Sequence, residues 1–167
     1  MEMSIEAYQE ALRVYNRESY PEDWALGHSN MAAAFTERGK SEDLHNAADA
    51  LDKALKVRSR ADSPHDWALT QMHLGIVLGR LPGEISGSER QKAIEAFRAA
   101  YEVLQKRGTA KERLAVTYNL GSALARSGNR EVLSEAAQLL EESRTSFLET
   151  LIGPNSSSVR RNWLGFI

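Results

Sequence analysis

Pro-Glu-Asp-Trp-Ala-Leu at residues 21–26 returns as Pro-His-Asp-Trp-Ala-Leu at 64–69, 43 positions later. Internal repetition at such a period constrains architecture more than any local propensity does. Setting Trp24-Ala25-Leu26 over Trp67-Ala68-Leu69 brings Met31-Ala32 over Leu74-Gly75. The register continues to Leu120-Gly121 and Leu164-Gly165, at spacings of 43, 46 and 44. Each time a larger apolar residue precedes a small one.

A second pattern runs in step with the first. Ser4/Tyr8/Ala11, Ala47/Leu51/Ala54, Ala93/Phe97/Ala100 and Ala136/Leu140/Ser143 each place a bulky residue between two small ones. Steps of four and three put all three side chains on one helix face. Small residues there let another helix approach, and the bulky one fills the gap. From Leu12 to Met31, from Leu55 to Leu74 and from Tyr101 to Leu120 the distance is 19 residues each time. Only the other connection varies in length. A fixed spacing on one side and a variable one on the other describes helical hairpins with insertions confined to one edge.

The repeated hexapeptide reads as a helix entry followed by a core tryptophan. Ser63 is placed to cap, Pro64 suits the first helical position, and Asp66 lies near the positive end of the helix dipole. Thr109-Ala-Lys-Glu112 matches a capping box at the same point of the next unit. Tyr20-Pro21-Glu22-Asp23 is the first-unit version, with a poor capping residue. Gly39, Pro82-Gly83 and Gly128 mark helix ends. The expected helices span 4–18, 21–38, 42–60, 64–80, 88–107, 110–127, 131–151 and 156–166, with no strand.

Composition excludes more than it selects. The 167 residues carry 21 basic and 23 acidic side chains, so no basic excess points to nucleic acid or an anionic membrane. There is no cysteine, which removes disulfides and thiolate chemistry. The N-terminus has no signal-peptide pattern, and no apolar run is long enough to span a membrane. The expectation is a single cytoplasmic array over 1–167.

"NLGSAL" at 119–124 and "AIEAFRAAY" at 93–101 resemble the first and second helices of the tetratricopeptide repeat family. The period exceeds that family's usual length of roughly 34. It looks like the long-repeat variety of kinesin light chains and many bacterial multi-repeat proteins, where Pro-x-x-Trp-Ala turns also occur. The resemblance implies an all-α fold, a right-handed α-α superhelix (solenoid) of antiparallel helix pairs. In this phase the chain opens on a second helix and closes on a first one. We therefore expect a piece of a longer array, or self-association through uncapped ends.

In the resembled family the first helix of each pair lines a concave face that holds a protein or peptide segment. Carried over, the inward positions are Leu26, Ser29, Ala33 and Glu37, then Leu69, Met72, Ile76 and Arg80, then Ala115, Tyr118, Ser122 and Arg126. The family's Lys/Asn clamp for a C-terminal carboxylate is missing. Ser29, Met72 and Tyr118 stand at its lysine positions, and Ala33, Ile76 and Ser122 at its second asparagine positions. Asn30 and Asn119 survive from the pattern. The expected partner-binding set is Leu69, Met72, Ile76, Arg80, Tyr118, Ser122, Arg126, Asn30 and Asn119. Met72, Ile76 and Tyr118 suit an amphipathic helix or an extended peptide.

Catalytic and metal motifs are not apparent. His28, His45, His65 and His73 lack the His-Glu-x-x-His arrangement, although His28 and His73 lie on adjacent first helices. No Gly-x-Ser-x-Gly elbow or phosphate loop occurs. The expectation is a non-enzymatic interaction module without cofactor or metal, binding neither nucleic acid nor membrane. The alternative is a peptide-sensing domain that changes its superhelical pitch.

Overall fold

The computed structural model describes residues 2–81 and 87–152. Seven α-helices follow one another: α1 (Glu2–Val14), α2 (Pro21–Arg38), α3 (Ser41–Leu55), α4 (Pro64–Leu78), α5 (Gly87–Arg107), α6 (Ala110–Ala125) and α7 (Leu133–Ile152). A short 3-10 turn, Arg130–Val132, precedes α7. No strand occurs among the described residues. The principal packing partners are helices consecutive in sequence. Only residues 39–40 join α2 to α3, and only 108–109 join α5 to α6, so the chain must reverse at both places. The expected helix at 156–166 lies outside the described residues.

The two sequence patterns meet in space as small residue against bulky residue. A Cβ placed on Gly75 of α4 would fall 2.7 Å from the Phe97 ring of α5. One placed on Gly121 of α6 would fall 3.0 Å from Leu140 Cγ of α7. Ala32 of α2 and Leu51 of α3 are each 1% exposed and share one core. The bare or nearly bare backbone of one helix thus receives the large side chain of its partner. Three pairs, α2/α3, α4/α5 and α6/α7, are built this way, and α1 packs onto α2.

Two apolar cores result. One holds Leu44, Leu51, Met31 and Phe35 with Ile5 of α1. The other holds Phe97, Leu104, Val116, Leu120 and Leu139. Helix α4 serves both: Ala68 and Met72 belong to the second core, Val77 to the first.

The repeated hexapeptide has a repeated conformation. Tyr20 and Ser63 precede their helices with φ/ψ of −138/60° and −134/62°. In each case the tryptophan N–H donates back to that residue's carbonyl, at 2.9 Å. This backbone corrects the expected cap: Ser63 is not extended, its side chain caps nothing, and its Oγ is buried without a partner. Thr109, at −64/164°, is extended and forms the full capping box with Glu112. Trp24 and Trp67 are half-buried rather than core residues. Trp24 meets the edge of His28 at 4.4 Å, while Trp67 lies beneath the Arg60 guanidinium.

Helices α4 and α6 end two residues earlier than expected, and α1 and α3 end earlier still. Helix α1 stops at Val14 because Asn16 Oδ1 accepts from the N–H groups of Glu18 and Ser19, folding 16–19 into a turn. Helix α3 stops at Leu55, where Lys56 and Val57 donate to Lys53 and Ala54 in a tightened last turn. Gly39 closes α2 in the left-handed region, at φ 71°, donating to the Phe35 carbonyl.

Candidate binding face on α2, α4 and α6

The close docking within pairs leaves α2, α4 and α6 beside one another with clefts between them. A cleft of about 310 Å³ separates α2 from α4, lined by Ser29, Ala33, Thr36 and Glu37 on one side and His73, Ile76 and Arg80 on the other. A second, of about 490 Å³, separates α4 from α6, with Arg90, Ala93 and Phe97 of α5 closing it. Its α6 wall is Asn119, Ala123 and Arg126. Ile76 and Arg80 line both clefts, so the two adjoin.

Behind the first cleft lies a buried guanidinium. Arg58, in the α3–α4 connection, is only 9% exposed. Its Nη1 donates to Ser29 Oγ and Thr70 Oγ1, each at 2.9 Å, and its Nε is buried without a partner. Both hydroxyls donate onward to their own helices, Ser29 to the Ala25 carbonyl and Thr70 to that of Asp66. No carboxylate forms an ion pair with Arg58 among the described residues. In the next unit the same register positions hold Leu104, Met72 and Val116, which sit together in the second core. A polar triad thus occupies a place that is apolar one unit later.

Electrostatics follow from that placement. His73 is exposed along one edge, yet the protein around its ring lowers its pKa through burial, with Arg58 adding to the shift. It presents a neutral imidazole to the cleft at neutral pH. His28 is 6% exposed inside α2's packing, and burial, with help from Lys53, lowers its pKa to about 4.

The structure gathers some expected residues and separates others. Ile76, Arg80, Asn119 and Arg126 come together along the clefts, joined by Ser29, Ala33 and Glu37. Tyr118 is 54% exposed and Leu26 is also open to solvent. Met72 is buried at 6% in the second core, filling the interior rather than a groove floor. Leu69 and Ala115 are half-buried against that core. Ser122 and Asn30 are half-buried and line neither cleft. Sequence reasoning missed His73, Thr36 and Arg90. Arg90 opens a second helix, which the resemblance does not place on the binding side. The one available signal was the long irregular stretch that the sequence shows immediately before it.

Comparison with protein-family models, with curated proteins and with solved structures returns no match. Among the described residues no helix is long and apolar enough to cross a membrane. No group of three or more metal-ligating side chains occurs among them either.

Proposed function

We propose that the chain is a non-enzymatic module that binds a peptide or protein segment along α2, α4 and α6, in a right-handed solenoid of the tetratricopeptide type. The adjoining clefts carry this reading. They provide a continuous strip of exposed and half-exposed residues, with Ile76 and Arg80 at its centre and Tyr118 projecting beside it. Grooves that combine apolar walls with a few polar groups suit peptides, whose side chains alternate in character. In the resembled family this face is the partner-binding one, which agrees with the placement of the clefts.

Selection of a displayed random peptide library against the protein tests the proposal. Selected peptides should lose at least about tenfold in affinity with Tyr118→Ala and Leu26→Ser. Both side chains are exposed, so melting temperature should hardly move. Peptides that bind both variants as well as the parent would place the binding face elsewhere.

A sensing role is a second reading, favoured by the hydrogen-bonded triad at the joint between the first two pairs. Polar contacts between helices exchange with water more readily than apolar ones do. Small-angle scattering with a selected peptide distinguishes the readings: an altered radius of gyration supports sensing, and an unchanged one supports a passive scaffold.

A further inference from the structure

We propose that the cleft between α2 and α4 is a specificity pocket that takes one apolar side chain, of leucine size, from the bound peptide. This deepens the peptide-binding reading above and rests on it.

The lining decides what can enter. Ala32, Leu51 and Val77, each 1% exposed, line the cleft together with Ala33 and Ile76. Ser29 and Thr36 complete the α2 side, but both hydroxyls have committed their protons. Ser29 donates to the Ala25 carbonyl at 3.0 Å and Thr36 to that of Ala32 at 2.7 Å. A side chain that needs donors gives up water there and finds no hydroxyl proton to replace it. An apolar side chain has no such loss, and it gains from leaving water. At about 310 Å³ the cleft has the size of a small ligand pocket.

Charge points the same way. Glu37 and Arg80 both line the cleft, so an acidic occupant meets the first and a basic one the second. Arg58 stands behind Ser29 and opposes a cation further. Its guanidinium is not part of the lining, and its Nη1 is already bonded to two hydroxyls. An uncharged side chain meets no like charge. His73 also lines the cleft and forms no hydrogen bond among the described residues, so its ring can meet a peptide group beside the anchored side chain. The cleft between α4 and α6 differs at the equivalent places. Asn119 stands for His73 there, and Phe97 stands for Leu51, its ring against Gly75.

Capped single residues, N-acetyl-X-N-methylamides, test the pocket directly, since each carries one side chain between two peptide groups and no terminal charge. Titrating capped leucine into isotope-labelled protein should shift the Ala33 and Ile76 methyl resonances saturably, at about 1–10 mM. Capped alanine, glutamate and lysine should bind at least about fivefold more weakly, and the leucine affinity should hardly change between low salt and about 0.3 M. Ala33→Leu fills the cleft from its own wall and should abolish the saturable shift at Ile76. Ala33 is exposed, so melting temperature should hardly move. Ala33→Ser leaves the cleft open and should keep the shift.

Tighter binding of capped glutamate or lysine would overturn the proposal in favour of a charged pocket. No saturable shift with capped leucine, or one that persists in Ala33→Leu, would overturn it outright. The library selection separates this failure from that of the broader reading. Selected peptides that depend on Tyr118 but bind Ala33→Leu as well as the parent would remove the pocket and leave the binding face standing.

Discussion

A methyl group at Gly75 would overlap the Phe97 ring, since a Cβ there falls 2.7 Å from Cε1. Gly75→Ala gains helix propensity of about 1 kcal/mol and meets an overpacking penalty of about 1–3 kcal/mol. Denaturant unfolding should show net destabilisation, and Phe97→Leu in the same chain should relieve part of it, a positive coupling in the double-mutant cycle. The small-then-bulky pairing was legible in the sequence because it depends on two periodic positions only. Arg58 was not legible. A lone arginine in a connection is ordinarily exposed, and nothing local announces that Ser29 and Thr70, 29 and 12 residues away, will meet it.

His28 offers a pH test at the same scale. Its folded pKa, about 4, lies below the ordinary 6.5 because burial disfavours the cation. Above pH 6.5 both states are neutral there and its contribution to stability is complete. Between 6.5 and 4 the unfolded chain takes up a proton that the folded one refuses, so stability falls with pH, by up to about 3 kcal/mol in all. His28→Gln should flatten that limb of the stability–pH curve, with the smaller slope from His73 remaining. An unchanged limb would assign the titration to another group.

At the level of elements, helix entry is the instructive case. Three starts occupy the same place in the repeat, yet only Thr109 forms the capping box that its sequence matches, while Tyr20 and Ser63 are turns that lead into proline. Thr109 holds the box: Glu112 N–H donates to its Oγ1, and its own N–H donates to Glu112 Oε2 at 2.7 Å. The interaction lowers the Glu112 pKa, chiefly through that backbone bond. Thr109→Ala should cost about 1 kcal/mol in thermal or chemical unfolding. Ser63→Ala should be close to neutral or stabilising, because its buried Oγ has no partner to lose. The seven described helices and their order were readable from the 3.6-residue pattern. The ends at Val14 and Leu55 were not, because Asn16 and the tightened turn at Lys56 compete with helix continuation through local hydrogen bonds that periodicity does not register.

For the molecule as a whole, the register makes a comparison between its own units possible. Leu104, Met72 and Val116 show what the joint looks like when it is apolar. Arg58, Ser29 and Thr70 occupy the preceding joint. Replacing all three together, as Arg58→Leu, Ser29→Met and Thr70→Val, removes a buried cation and supplies packing that the neighbouring unit already tolerates. Stability should rise by about 1–4 kcal/mol, read as a higher denaturant midpoint with unchanged slope. A loss would mean that the joint's backbone is fitted to the hydrogen bonds themselves. The candidate site was half legible at this scale. First-helix positions supplied Ile76, Arg80, Asn119 and Arg126, while Arg90 comes from α5, a second helix.

The two joints also age differently under stress. Grease seals the later one, whereas the earlier is a seam that water can unzip one hydroxyl at a time. Amide exchange should therefore quicken first at that seam, letting α1 to α3 swing away while the remainder keeps its shape.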